Sequence, residues 1–425
     1  MSLPPASFTG YQKLVIGLLA LLQFTVLLDF MVLAPLGDGL MKSLAIGPAQ
    51  FSLVVSAYAF SAGLAGLLAA GFADRFDRKR LLLFFYAGFA VGTLGCALAN
   101  SYWLLLLARL VAGLFGGVIG AIVLTIVTDE FGEGQRGRVM GLVQLAFAAS
   151  QVLGIPLSLW LSSRWNWHAP FVLVVGLALL TGAGVLRWLR PLKGHLALQV
   201  RIKALQHLWH TLRQPAYQLG LFTTLLLTVG GGMLAPFSSA FLINNVRLTQ
   251  AQLPLLYLLT GLSSLLVVPL VGQLSDRVSR VKLFAAGSVL AVGAVLAYTR
   301  LGPAPFWQAT LLNVALSSGI VGRVVPAMAL NTSLPAPADR GAYLSVTASM
   351  QQLAGGLAAV AAGQLVTQPT PTSPLVHFPV LGYAAAAAFA LCIPLIYRVN
   401  QFILRMPVSE SKPEGIEVLA TSLAE

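Results

Sequence analysis

Long apolar stretches alternate with short polar segments over most of this chain of 425 residues. Twelve of the stretches reach the roughly 20 residues that a helix needs to cross a hydrocarbon layer of about 30 Å. We number them span 1 to span 12, at residues 13–36, 50–72, 81–100, 102–128, 139–162, 168–190, 217–244, 252–274, 282–301, 306–332, 341–366 and 376–398. The pattern predicts an all-α integral membrane protein with twelve transmembrane helices.

A short charged phrase occurs twice, once after span 2 and once after span 8. Its matching residues are Asp74, Arg75 and Arg78 in the first copy and Asp276, Arg277 and Arg280 in the second, 202 positions further on. A repeat of this length predicts two copies of one six-helix bundle that follow each other in the same direction. Secondary transporters are one class of protein built from such parallel repeats.

The longest link between spans falls at the middle of the chain. We therefore expect four parts: an N-terminal six-helix bundle at 1–190, a cytoplasmic linker at 191–216, a C-terminal six-helix bundle at 217–398 and a cytoplasmic tail at 399–425. The linker mixes apolar and basic positions, as a helix lying on the inner membrane surface would.

Lysine and arginine are distributed unevenly between the two ends of the spans. Of 26 such residues, 20 fall on the side of the N-terminus and 4 on the opposite side. Because basic loops stay in the cytoplasm, this distribution predicts two cytoplasmic termini and a multi-pass protein of the bacterial inner (plasma) membrane. We call the N-terminal side the inner side and the opposite side the outer side. The net charge of +13 is then a topology signal, so we expect a lipid bilayer and no nucleic acid as partner.

The sequence indicates no enzyme, no metal and no resident cofactor. It contains neither a His-Glu-x-x-His motif nor a phosphate-binding Gly-Lys-Ser/Thr phrase, so we expect a proton gradient rather than ATP as the energy source. Cys96 and Cys392 lie in separate apolar spans and form no disulfide or metal motif. His207 and His210 in the linker have no acidic or cysteine residue nearby, which favours a membrane-surface helix over a metal site.

The duplicated phrase, the twelve spans and the central link resemble the major facilitator superfamily over about residues 12–398. The family's loop signature is Gly-x-x-x-Asp-Arg-x-Gly-Arg-Lys, and this chain has Ala70 and Asp77 where glycine is usual. The resemblance implies an inner gate that is shut when the cavity faces outward, with Asp74 facing the positive N-terminus of span 11 and Arg78 pairing with Asp129. The residues assigned to gating are Asp74, Arg75, Arg78, Asp129, Asp276, Arg277 and Arg280. The alternative is a solvated loop that only fixes topology.

Two further patterns narrow the resemblance to one branch of the family. Arg109-Leu-Val-Ala-Gly113 in span 4 resembles a signature of proton-coupled members, and Asp29 lies in a matching segment of span 1. The resemblance is to the drug:proton antiporter and sugar-efflux branch. Gly154 and Pro156 in span 5 match the antiporter signature only in part, and they predict a helix kink.

Asp29 and Arg109 are the candidate proton-coupling residues. Asp29 is the acidic residue that lies well inside a span, and counting residues puts both side chains about 10 Å below the outer surface. A charge in hydrocarbon is costly, so the two are expected to face a cavity or each other. Asp29 could take up a proton from the outer side and release it inside, with Arg109 tuning its proton affinity. The alternative is a permanent ion pair with a structural role.

Arg323 lies in span 10, and no acidic residue in the second half of the chain lies at membrane depth to pair with it. We expect it either to face the cavity, where an arginine suits an anionic substrate group, or to have a structural role. The other candidate substrate-binding residues are Gln23, Tyr58, Gln144, Gln151, Thr228, Gln351 and Gln352. Each of these polar residues could instead make a hydrogen bond between helices.

These observations predict a secondary active transporter that moves a small molecule by alternating access, as a monomer. The favoured function is proton-coupled efflux of drugs, sugars or related metabolites. The alternative is a facilitator or symporter of an organic anion, with Arg323 and Arg109 binding the anion. This alternative has the same fold but a different transport chemistry. A membrane sensor or lipid-handling protein on the same scaffold is the least favoured interpretation.

Overall fold

The computed structural model describes residues 8–69, 76–192, 213–336 and 339–405. The predictions made for Asp74 and Arg75, for the two linker histidines and for most of the linker and tail lie outside the described residues. Within them the chain is almost entirely helical, with one isolated β-bridge between Thr367 and Val376.

Each of the twelve predicted spans contains a long helix. The helices are Gly10–Val32, Pro48–Ala69, Arg78–Ala97, Tyr102–Glu130, Glu133–Ala149 continued by Ile155–Arg164, Ala169–Trp188, Pro215–Leu234, Leu253–Arg277, Arg280–Thr299, Phe306–Ser333, Arg340–Leu365 and Phe378–Arg405. Six belong to each half of the chain, so the fold is the predicted pair of six-helix bundles. In span 5 a π-helical turn, Ser150–Gly154, joins the two α-helical pieces just before Pro156.

Spans 1 and 7 are shorter than the apolar pattern predicts. Span 1 ends at Val32 rather than at residue 36, and span 7 ends at Leu234 rather than at 244. A proline follows each end and cannot continue the helix in register, since it has no N–H to donate. Each half then forms a short helix on the outer side, Gly37–Leu44 in the first half and Ser238–Asn244 in the second.

Eleven of the described helices are long and apolar enough to cross a membrane, and span 11 is not among them. Span 11 is rich in alanine, glycine and polar residues, and it packs along span 2 of the other bundle. The Ser56 hydroxyl donates to the Gly356 carbonyl across this contact at 2.9 Å. A Cβ on Gly363 would overlap the Ser52 side chain, so glycine lets the two helices come this close.

The two bundles pack together on the outer side, and on the inner side spans 5 and 8 separate within the described residues. The short outer helices pack on each other, and span 8 packs on the outer part of span 5, residues 150–164. Span 8 makes at most marginal contact with the inner part of span 5, Glu133–Ala149. Most residues of span 8 from 262 to 277 are accordingly exposed or half-buried. Spans 5 and 8 therefore diverge towards the inner side, whereas span 2 stays packed on span 11 as far as Gly66, whose Cβ would overlap Ser349.

Candidate functional site

Asp29 and Arg109 form an ion pair inside the N-terminal bundle. Arg109 Nη1 lies 2.8 Å from Asp29 Oδ2, and the two side chains are 1% and 0% exposed. The Thr93 hydroxyl donates to the other carboxylate oxygen, Oδ1, at 3.2 Å. Spans 1, 3 and 4 thus converge on one carboxylate, and Asp29 and Arg109 lie at a common level, as residue counting predicts.

Glycine residues around Arg109 allow this convergence. A Cβ on Gly92 of span 3 would overlap the backbone of Ala112 in span 4. A Cβ on Gly113 would overlap the Tyr58 carbonyl of span 2. The Arg-x-x-x-Gly pattern therefore has a direct physical meaning: the arginine supplies the charge, and the glycine four residues later brings span 2 against span 4.

Tyr58 covers the guanidinium group of Arg109. The Arg109 Cζ atom lies 4.4 Å from the centre of the Tyr58 ring, a distance at which a ring face attracts a cation. The Tyr58 ring in turn lies 5.4 Å from the ring of Phe30. Tyr58, predicted as a cavity residue, is thus fully buried against the ion pair. Among the described residues, Arg109 Nε has no hydrogen-bond partner.

The other polar candidates do not form one cluster. Gln23, Gln151, Thr228, Gln351 and Gln352 are half-buried, and Gln144 is exposed. Gln23 Oε1 is buried without a hydrogen-bond partner in the described part of the chain, and Thr228 donates to the Thr224 carbonyl of its own helix. The backbone of Gln151 lies against Gly261 of span 8, where the two halves meet. Their part in substrate binding stays a prediction.

Arg323 lies inside the C-terminal bundle and does not face the cavity between the halves. Its side chain is 1% exposed, and its guanidinium lies between the rings of Phe284 and Phe389, at 5.5 and 4.1 Å. Among the described residues it makes no hydrogen bond to Gln351 or Gln352, and its part in substrate binding stays a prediction. Spans 9 and 10 pack through Gly287 and Gly322, and this close packing draws the arginine into the bundle. Arg323 Nε and Nη2 have no hydrogen-bond partner in the described ranges.

The first copy of the charged phrase ties three helix ends together on the inner side. Arg78 Nε lies 3.2 Å from Asp129 Oδ2, so the structure contains the pair that the resemblance implies. Sequence reasoning missed two further contacts. Asp77 caps span 3 by accepting from the N–H of Lys79 at 2.8 Å. The Lys79 ammonium donates to the Leu186 and Leu189 carbonyls at the end of span 6.

The residues of the second copy of the phrase do not make the contacts that the residues of the first copy make. Asp276 and Arg277 are exposed and Arg280 is half-buried. No ion pair or hydrogen bond is formed by these three side chains within the described residues. The residue 202 positions after Asp129 is Asn331, which bonds to Thr224 instead of to an arginine. The gating roles predicted for both copies stay predictions, and Asp74 and Arg75 lie outside the described residues.

Comparison with known proteins places the chain among transporters. A sequence profile described as Major Facilitator Superfamily matches residues 19–359 and 220–415. An uncharacterized MFS-type transporter of Bacillus subtilis (strain 168), YceJ, is 27% identical over 271 residues, which cover 63% of this chain and 68% of that protein. A probable sugar efflux transporter of Helicobacter pylori (strain G27) is 28% identical over 164 residues, which cover 39% of this chain and 42% of that relative.

Solved transporter structures share the fold. A D-xylose-proton symporter superposes with a TM-score of 0.75 at 16% identity, over 92% of this chain and 98% of that one. A bacterial homologue of the human lysosomal transporter Spinster, in an inward-facing and occupied conformation, gives 0.70 at 16% identity, over 94% and 97%. At this level of identity the likeness concerns the fold alone.

Proposed function

The chain belongs to the major facilitator superfamily, and from this premise we propose that it exports a small molecule in exchange for protons. Family membership makes it a membrane transporter rather than an enzyme. Export of sugars, drugs or related metabolites is our proposal, and the relatives named as sugar efflux transporters support it. We further propose that it works as a monomer in a bacterial inner membrane, with both termini in the cytoplasm and no resident cofactor.

The observation that carries this proposal is the buried pair of Asp29 and Arg109. A carboxylate at membrane depth is costly unless it is paired, and Asp29 is fully buried. Protonation of Asp29 removes the negative partner of Arg109 and so weakens the contact between spans 1 and 4. Loss of the proton restores it. A proton that enters from the outer side and leaves on the inner side can in this way bias the packing of the N-terminal bundle.

Export then follows from alternating access. In the inward-open state the cavity between the halves can take up substrate from the cytoplasm. In the outward-open state substrate leaves and a proton reaches Asp29. The return to the inward-open state brings the proton to the inner side. The alternative is an ion pair that never titrates and only stabilises Arg109 in the membrane.

Transport into proteoliposomes with an imposed pH gradient distinguishes these two roles. The purified protein is tested with a panel of radiolabelled sugars and cationic drugs, with and without the gradient. Asp29→Asn should abolish accumulation driven by the gradient and retain exchange of substrate at equal concentrations. Thr25→Val is the matched control, because it removes a buried hydrogen bond to Tyr86 from the same helix without changing a charge.

The result that overturns the assignment is accumulation by Asp29→Asn at the wild-type level. If wild-type transport is the same at every pH gradient, proton coupling itself is wrong and a facilitator replaces the exporter. Loss of exchange as well as accumulation in Asp29→Asn, with Thr25→Val active, points to a structural ion pair.

A second candidate function is transport of an organic anion. The observation in its favour is Arg323, whose Nε and Nη2 atoms are buried without hydrogen-bond partners in the described residues. An anionic substrate group would satisfy both atoms in a state of the cycle that exposes this arginine, which is buried in the present structure. Arg109 is a weaker anchor, because Asp29 already holds it. Arg323→Gln should then abolish transport of organic anions in the same assay, and unchanged uptake by this variant excludes the role.

A further inference from the structure

The two short outer helices meet at equivalent positions of the repeat. Gly37–Leu44 follows span 1 and Ser238–Asn244 follows span 7, and they pack on each other across the gap between the halves. Lys42 and Asn244 lie 202 residues apart, the same separation as the two copies of the charged phrase. Repeat-equivalent residues of the two halves therefore come into direct contact on the outer side.

Three side chains form a hydrogen-bonded set at this contact. Asn244 Nδ2 donates to Asp38 Oδ1 at 2.6 Å, and Lys42 Nζ donates to Asp38 Oδ2 at 2.8 Å. Lys42 Nζ also donates to Asn244 Oδ1 at 3.4 Å. Asp38 and Asn244 are buried, and Lys42 is half-buried. The two bonds that involve Asn244 cross from one half of the protein to the other.

An amide suits the central position because it donates and accepts at once. Its N–H group faces the carboxylate and its oxygen faces the ammonium group. A second lysine at the equivalent position would repel Lys42, and a second carboxylate would repel Asp38. The repeat has therefore diverged here so that one half supplies both charges and the other supplies a neutral side chain.

A further polar bond between the halves lies close to this set. The Ser239 hydroxyl donates to the Ala34 carbonyl at 3.1 Å, again between the halves. On the other side of Asp38 a pocket of about 240 Å³ separates the halves, lined in part by Trp167, Gln250 and Leu253.

We propose that Asp38, Lys42 and Asn244 form the outer gate latch of the transport cycle. The latch is closed in this structure. It opens when the bundles separate on the outer side, because its two bridging bonds join different halves. This inference rests on the proposed alternating-access transport, and it adds the residues that hold the outer side shut.

Labelling of a cavity cysteine from each side of the membrane tests the latch. A cysteine at Gln23, half-way along span 1, is treated with a membrane-impermeant maleimide in right-side-out and in inside-out vesicles. Asn244→Leu should raise labelling from the outside about tenfold, as expected for lost hydrogen bonds to charged groups, and lower labelling from the inside. A misfolded variant would not show this opposite change.

Two further variants make the test specific. Asn245→Leu is the matched control, since the Asn245 side chain bonds to the backbone of Leu375 within its own half, and the labelling of this variant should equal wild type. Asn244→Asp alone should also raise outside labelling. The double variant Asp38→Asn/Asn244→Asp exchanges carboxylate and amide, and it should return labelling towards wild type.

Unchanged labelling in Asn244→Leu, or an equal change in Asn245→Leu, overturns the latch. Failure of the exchanged pair to restore closure reduces Asn244 to a packing residue, which also overturns it. The proposed exporter fails independently: if wild-type protein never responds to a pH gradient while Asn244→Leu still shifts the labelling, the latch stands without proton coupling.

Discussion

Arg109 contacts the carboxylate of Asp29 and the ring of Tyr58, and these two contacts together require a planar cation. Lysine keeps the charge but cannot lie flat against a ring while it bonds to a carboxylate. We expect Arg109→Lys to lower gradient-driven transport about tenfold, whereas Tyr58→Phe, which keeps the ring, should remain close to wild type. Transport rates in proteoliposomes check both.

A surface arginine supplies the control for this substitution. Arg138 lies over the ring of Phe8 at 4.6 Å and is exposed, so Arg138→Lys should leave transport unchanged. Equal rates for Arg109→Lys and wild type would show that only the positive charge at this position matters.

At the scale of the residue, the sequence predicted how far along a span a side chain lies, but not towards which neighbouring helix it points. Counting along spans 1 and 4 placed Asp29 and Arg109 at one level, because a helix has a fixed rise per residue. The same counting cannot give the rotation of a helix about its axis when every face is apolar. Arg323 therefore had no predictable direction, and its contact with Phe284 and Phe389 is known only from the structure.

At the scale of the element, the two copies of the charged phrase differ in what they hold together. Arg78→Gln should lower the unfolding temperature by a few degrees, because it removes the ion pair with Asp129 at a cost of about 1 kcal/mol. Arg280→Gln, at the equivalent position, should leave the unfolding temperature unchanged in this state. Thermal unfolding in detergent measures both variants, and equal effects would show that the copies are equivalent in stability.

Helix existence followed from the apolar pattern, but several helix ends did not. All twelve spans appeared where a run of apolar residues is long enough. The breaks after Val32 and Leu234 lie inside continuous apolar runs, where only a proline marks the end. The short outer helices that form the latch were consequently missed. The irregular turn in span 5 was indicated by Gly154 and Pro156, whereas neither its π-helical form nor the contact of Gly154 with Leu28 of span 1 could be predicted.

At the scale of the whole molecule, the prediction concerns the orientation of the protein in the membrane. The lysine and arginine distribution predicts that the linker and the tail are cytoplasmic. Cysteines placed at positions 205 and 410 should therefore resist an impermeant reagent added outside intact cells. A cysteine at Trp165, which is exposed on the outer side, is the positive control. Strong outside labelling at 205 or 410 would reverse the topology.

The conformational state belongs to the molecule and not to any segment of its sequence. One sequence must encode both an inward-open and an outward-open packing of the same two bundles. The free-energy difference between such states is small compared with the total packing energy. Sequence patterns therefore predicted the two bundles, while the closed outer side and the inner separation of spans 5 and 8 could be learned only from the contacts between the bundles.

The close packing of span 11 on span 2 has a consequence for biosynthesis. Span 11 is the helix that falls short of the apolar character of the other eleven, so it partitions poorly into lipid as an isolated segment. Its small and polar residues are favourable only where span 2 covers them. Span 2 is synthesised long before span 11. The face of span 2 that packs on span 11 is therefore uncovered until span 11 has been made. Insertion of span 11 by the translocon is therefore coupled to assembly of the two halves, and substitutions in span 2 such as Ser56→Leu should reduce the amount of span 11 that enters the membrane.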